Sequence, residues 1–302
     1  MGSPDGHHHH SRLIVAHSPL ATPSATIAVL KRHGLATKKS LGQHFLVDDN
    51  VVGRILDLAA LTGDETVIEV GPGLGTLTAA LCARAGAVVA VERDSDLLPV
   101  LAETTAGCPR LAIIRADAVA VSPDVLSEPF GPPVALVANL PYAVAATVVL
   151  RFFEEIPSLV SATVMVQSEV ADRMAASPGT KSFGSYTVKL RLLAAPVGRF
   201  AVSRTCFLPA PRVDSAVLRL ERRTLCEDPA LVADASRVAQ AAFAQRRKTI
   251  RNSLRSALGA ESGLLDAALA AAGITGSLRA ETLEPERFLA LAAALRERGI
   301  PF

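Results

Sequence analysis

An apolar run, VALVA (134–138), stops at Asn139, and Leu140, Pro141 and Tyr142 follow at once. The Asn139 side chain can accept a hydrogen bond through its carbonyl and donate through its amide. Pro141 fixes its own φ and restricts Leu140, which favours an outward-turned loop with backbone carbonyls facing a crevice. Tyr142 is one of 2 tyrosines in a chain of 302 residues without tryptophan, and it offers a flat face for a ring. These residue types could hold a flat, polar substrate. Asn and Pro are also ordinary turn punctuation, so the ends of the other apolar runs decide between a pocket and a plain turn.

Those ends carry chemistry as well. TVIEV (66–70) runs into Gly71, Gly73 and Gly75, where glycines let the backbone turn sharply and approach a ligand closely. The spacing is G-x-G-x-G; a dinucleotide fingerprint wants its third glycine at position 76, which is Thr76. AVVAV (87–91) ends in Glu92, 21 residues after Gly71, where a carboxylate can accept hydrogen bonds from ribose hydroxyls. LAIIR (111–115) is followed by Asp117, which can accept from an adenine amino group or cap a helix. A glycine loop alone is a weak signal. The loop and Glu92 together point to a nucleoside-containing cofactor, and Asp117, as a third polar residue at successive strand ends, is expected to line the same crevice.

The elements that must position these residues follow from the pattern. The four runs, with ATVMVQ (162–167), are short, rich in Val and Ile and nearly continuously apolar, as parallel strands buried on both faces read. Helical patterns lie between them at Leu74–Arg84, Ser95–Thr105 and Ala143–Glu155. Right-handed crossovers then give an α/β doubly wound sheet whose ligands bind beyond the carboxyl ends of the strands. YTVKLRLLAAPVGRFAV and SAVLRLERR supply further strand candidates near a sheet edge, and an Ala-, Leu- and Arg-rich segment from Asp228 reads as a small all-α domain. The expected organisation is an expression tag over 1–12, an N-terminal segment over 13–37, the sheet domain over 38–227 and the helical domain over 228–302.

Composition narrows the partners. The net charge is only +2, but Lys181 to Arg223 holds 9 Lys/Arg against Asp214 and Glu221, and Gln245 to Ser256 holds 5 cations and no acid. Such segments can form a footprint for nucleic acid or be solvated faces. The 4 cysteines form no C-x-x-C pair and no Cys/His cluster has zinc spacing, so no metal is expected and a reduced, cytoplasmic setting fits. No stretch reads as membrane-spanning or secretory, and no heptads point beyond a monomer.

EVGPGLGTLT, VERD, RADA and NLPY resemble, in order, the motifs of class I methyltransferases that use S-adenosyl-L-methionine, and NLPY is similar to the Asn/Asp-x-Pro-Tyr/Phe motif of adenine-N6 methyltransferases. KKSLGQHFL (38–46), CFLPAPRVDSAVLRL (206–220) and FAQRRKTIRNSL (243–254) narrow the resemblance to the ribosomal RNA adenine dimethyltransferases, and within them to the bacterial small-subunit branch. The likeness spans Lys38 to Leu289. One departure is His44, where the family often has Asn.

The resemblance implies transfer of methyl groups to N6 of two adjacent adenosines in a hairpin loop near the 3′ end of small-subunit ribosomal RNA, on an assembling pre-30S particle. It implies that Asn139, Leu140 and Pro141 hold the adenine amine, that Tyr142 and Phe207 offer faces to a base flipped out of its stack, and that His44, Leu46, Gly71, Gly73, Glu92, Asp117 and Asn139 line the cofactor site. Lys38, Lys39, Arg204, Arg212, Arg246, Arg247 and Lys248 are the candidate phosphate contacts. Alternatives are a resistance methyltransferase acting on large-subunit RNA, a factor that binds without catalysis, and a small-molecule methyltransferase, whose turnover would be insensitive to salt.

Overall fold

The computed structural model describes residues 17–36, 43–245 and 247–302. Five strands, β2 (Thr66–Val70), β3 (Ala87–Glu92), β4 (Leu111–Arg115), β5 (Ala135–Asn139) and β6 (Ser161–Gln167), lie parallel to their neighbours in this group. They join the antiparallel β7 (Ala194–Val202) and β9 (Ser215–Arg222) in one sheet of order β4-β3-β2-β5-β6-β9-β7. The chain runs outward from β2 to β4 and then returns to place β5 on the other side of β2. Loops leaving the carboxyl ends of β2 and β5 therefore emerge side by side, at the kind of switch point where open α/β sheets bind ligands.

Both sheet faces are covered, which explains the continuous apolar runs. Ile68, Leu136, Val164 and Leu218 pack with α6 (Ala145–Glu155) and α7 (Ser168–Ala175) on one face. Val67, Val137, Met165 and Val217 pack with α2 (Asp49–Ala59) and α3 (Thr76–Cys82) on the other. Alternate residues of each strand thus enter different cores, and neither set faces water.

Two segments differ from the sequence reading. Ser185–Arg191, read as part of a strand region, is a helix, α8. Val188 and Leu192 enter the core of the C-terminal helices while Leu190 enters the sheet core. A helix apolar on two faces has the nearly continuous apolar character of a strand. The second is α1 (Pro23–Arg32), in a segment given no element above. Thr22 caps it by accepting from Ala25 N–H, and Pro23 opens it. Val29 and Leu30 pack on Leu74, Leu97 and Val100, so the helix rests on the glycine loop and on α4 (Leu98–Thr104).

Asp228 caps α9 (Pro229–Ala242) by accepting from Ala230 N–H. With α10 (Ile250–Leu258), α11 (Ser262–Ala271) and α12 (Pro285–Glu297) it encloses a core around Leu254, Leu265, Phe288 and Leu291. Arg296 of α12 bonds both Asp228 and Asp234 of the α9 segment and ties the first helix of this unit to the last. Phe183 and Val188 extend the same core into the sheet domain.

Candidate active site at the strand switch point

A cavity of about 410 Å³ opens at the carboxyl ends of β2, β3, β4 and β5. Its wall brings together His44, Leu46, Gly71, Gly73, Glu92, Asp117, Asn139, Leu140, Pro141 and Tyr142, residues that the sequence places up to 98 positions apart. Gly71 and Gly73 adopt φ of +70° and +59°, a region that L side chains rarely enter. A Cβ on Gly71 would stand 3.1 Å from the Pro141 ring, and one on Gly73 would stand 3.3 Å from the Phe45 ring. The glycine loop is therefore clasped between the Asn-Leu-Pro-Tyr loop and the segment carrying His44.

Glu92 is 6% exposed and accepts from Asp94 N–H at 2.7 Å and from Gly73 N–H at 3.4 Å, through different carboxylate oxygens. Burial pushes its carboxyl up, and these backbone donors pull it back. Each oxygen keeps acceptor capacity toward the cavity. Asp117 lines the cavity: Oδ1 accepts from Val119 N–H at 3.1 Å in the turn after β4, while Oδ2 lies 3.5 Å from Arg93.

At the other end, Asn139 Nδ2 donates to the His44 carbonyl at 3.4 Å, which turns Oδ1 away as an acceptor. Val144 N–H donates to the Pro141 carbonyl at 3.1 Å, a turn that takes up that acceptor and leaves the Leu140 carbonyl as the backbone candidate. The Tyr142 hydroxyl bonds Ser215 Oγ at 2.7 Å, and burial pushes the phenol up, so it stays protonated. His44 Nδ1 lies 2.7 Å from the Pro209 carbonyl and its ring stacks on Tyr142 with centroids 5.6 Å apart.

Phe207 is a correction. It is 3% exposed, pairs with Leu46 between β1 (Phe45–Leu46) and β8 (Phe207–Leu208), and belongs to the core with Met165 and Val217. It does not line the cavity, because the short β1–β8 ladder turns it inward. Leu46 lines the cavity while also filling that core.

Sequence reading missed Gln43, Glu69, Asp94 and Ser215. Gln43 Nε2 donates to Asp94 Oδ2 at 2.8 Å, joining the His44 segment to the end of β3. Glu69 was visible as a lone acid inside an apolar strand, but nothing in the sequence separates that pattern from a tolerated edge charge. The candidate RNA residues divide. Arg204 and Arg212 are exposed on the segments flanking β8, and Arg247 and Lys248 are exposed beside Arg255 in a second, shallow cavity at the start of α10. Lys38, Lys39 and Arg246 lie outside the described residues. Among the described residues no cluster of His, Cys, Asp or Glu could hold a metal ion, and no helix is long and apolar enough to cross a membrane.

The sheet order, the glycine turn after β2, the acid after β3 and the Asn-Leu-Pro-Tyr loop after β5 together define a class I methyltransferase fold. Solved structures agree. The 23S rRNA methyltransferase ErmE is 31% identical with a TM-score of 0.64, covering 83% of this chain and 99% of that one. A dimethyladenosine transferase from Plasmodium falciparum shares the fold with a TM-score of 0.70 at 21% identity, covering 85% of this chain and 99% of that one.

Residues 34–297 match the ribosomal RNA adenine dimethylase family, and the chain belongs to that family. Ribosomal RNA small subunit methyltransferase A of Geobacillus thermodenitrificans is 42% identical over 288 residues, 92% of this chain and 98% of the relative. Its counterpart from Shouchella clausii is 40% identical over 285 residues, 91% of this chain and 95% of the relative.

The floor of the cavity yields a pH prediction. Burial, with a push from the negative charge of Glu92 and only partial relief from Thr78, raises the Glu69 carboxyl to about 8. The folded chain then holds a proton that the unfolded chain releases above about pH 4.3. Its contribution is fully present below that value and is lost as pH rises toward the folded value. Glu69→Gln keeps the shape without ionising. Its Tm relative to the parent should climb between about pH 5 and pH 8. Parallel Tm curves for the two proteins would contradict a neutral, buried Glu69.

Proposed function

We propose that this protein uses S-adenosyl-L-methionine to dimethylate N6 of two adjacent adenosines in a hairpin loop near the 3′ end of small-subunit ribosomal RNA, acting as a monomer on the pre-30S particle. The observation that carries the reading is the meeting of Glu92 and Asn139 in one cavity, an anionic end suited to a ribose and an amide end suited to an adenine amine. The family and the small-subunit methyltransferases at 40–42% identity support the substrate.

The residues present fit the cofactor. The buried Glu92 carboxylate faces a loop in which two glycines admit close approach, and Asp117 lies beyond it toward a base. Glu92 is assigned the ribose hydroxyls, Asp117 the adenine amino group, and the backbone at Gly71, Gly73, His44 and Leu46 the remainder. When bound, S-adenosyl-L-methionine supplies an electrophilic methyl on a sulfonium whose leaving group is a neutral thioether.

The chain's own task is to make a poor nucleophile attack. The lone pair of an exocyclic adenine amine is delocalised into the ring. Asn139 Oδ1 and the Leu140 carbonyl accept its two N–H groups, favour a pyramidal nitrogen and hold its lone pair on line. The alkylated nitrogen is acidic and releases its proton to solvent, so no side-chain base is needed and Tyr142 stays a neutral stacking surface. Rate comes from alignment and a preset polar environment. The second methylation has one N–H left to hold, which the Leu140 carbonyl or Asn139 alone can accept.

Arg247, Lys248 and Arg255 are assigned to RNA phosphates, with Arg204, Arg212, Lys38, Lys39 and Arg246 as further contacts. No ion pair among the described residues reaches Arg247, Lys248 or Arg255, whereas Arg251 is taken by Asp266. The 31% identity to a 23S rRNA methyltransferase supports a second reading, a large-subunit substrate.

Labelled methyl donor offered with each purified ribosomal subunit separates the two. Label should enter the small subunit, and label confined to the large one would overturn the proposal. Asn139→Ala should lower turnover by roughly a hundredfold or more, the scale for loss of an aligned polar contact, with cofactor affinity largely kept; near-normal turnover would remove its role. Replacing Arg247, Lys248 and Arg255 together by Ala should weaken RNA binding and flatten the slope of log K against log salt by roughly 2. An unchanged slope would move the footprint elsewhere.

A further inference from the structure

The His44 imidazole is held from two sides, by a backbone carbonyl and by an aromatic ring. A carbonyl can only accept, so the 2.7 Å contact with the Pro209 carbonyl places the proton on Nδ1. The ring cannot rotate without losing that bond. Its face lies against the Tyr142 ring at 5.6 Å between centroids and 27° between planes. A base inserted between two rings needs them about 7 Å apart, twice an optimal atomic separation. The imidazole and the phenol are therefore direct neighbours, and a base has only the opposite face of Tyr142 to stack on.

The phenol is fixed at its far end too, by Ser215, which is fully buried. Pro209 directly follows β8 and Ser215 opens β9. One strut therefore reaches Tyr142 through its hydroxyl and a second reaches it through His44. The backbone of His44 also takes the Asn139 amide.

Building on the adenosine-methylation reading, we propose that His44 is a positioning residue for the target base: it buttresses the Tyr142 ring from the side opposite the base and so sets where the adenine stacks, without contacting the cofactor through its side chain. A stacked pair contributes about 0.5–1.5 kcal/mol beyond its burial, so losing it should raise the KM for RNA by roughly 2- to 10-fold.

The chain contains its own probe. It has 2 tyrosines and no tryptophan. The Tyr186 hydroxyl donates to the Ala146 carbonyl of α6, away from Tyr142, and Tyr186→Phe leaves Tyr142 as the sole tyrosine emitter. In that background His44→Ala and His44→Phe are compared for Tyr142 emission, RNA KM, kcat and cofactor Kd. The expected result is that His44→Ala alters Tyr142 emission, weakens its quenching by small-subunit RNA and raises the RNA KM, with cofactor Kd unchanged. His44→Phe, which keeps a flat face without the Nδ1–H, recovers most of the RNA KM. A rise in cofactor Kd with an unchanged RNA KM would overturn the proposal, as would an Ala variant equal to the parent or a Phe variant no better than Ala. Quenching reads base docking without turnover. Loss of the buttress and failure of the methylation reading are thus seen separately: in the second case the parent itself forms no dimethyladenosine.

Discussion

The site depends on a close approach between two loops. β2 and β5 are neighbours only because the strand order reverses at β2, and their carboxyl-terminal loops are then forced together. Gly71 meets that constraint with a backbone at φ +70° and no Cβ, so that the Pro141 ring can lie where a side chain would. A side chain at position 71 would meet the Pro141 ring and press the two loops apart. The proline noticed first as a turn former is thus also the surface against which the glycine loop is set.

A second level of order comes from long-range polar contacts. Gln43 bonds Asp94, His44 meets the Pro209 carbonyl, Asn139 bonds the His44 carbonyl and Tyr142 bonds Ser215. Four segments that share no strand pairing with each other at these residues are cross-linked around one opening. Each bond is modest by itself. Their joint effect is to fix side chains whose task is alignment, in a site that has no acid–base pair to tolerate imprecision.

The parallel strands were legible because burial on both faces leaves a run of Val and Ile that few other structures produce. Each strand end was legible because a polar residue there interrupts the run, and Glu92, Asp117 and Asn139 all reach the cavity. What stayed hidden depends on contacts across the fold. Phe207 has the composition of a stacking residue, yet its burial is decided by pairing with Leu46, 161 positions away. α8 serves two cores and so lost the one-sided pattern of a surface helix. α1 carried readable signals, Thr22, Pro23 and a basic last turn, but its reason for folding is a platform of Leu74, Leu97 and Val100 supplied by the glycine loop and α4. The resemblance to a family named the role of His44 as a cofactor contact; only the geometry shows its ring against Tyr142.

On the proposed reading, the Gly71–Pro141 approach shapes the part of the cavity assigned to the cofactor. Calorimetric titration of S-adenosyl-L-methionine into Gly71→Ala tests it most directly. A Cβ at that φ costs about 1–2 kcal/mol, and relief requires the loop to move away from Pro141. The affinity should fall by roughly tenfold or more while circular dichroism reports an intact fold. A folded Gly71→Ala protein that binds the cofactor as tightly as the parent would contradict the claim.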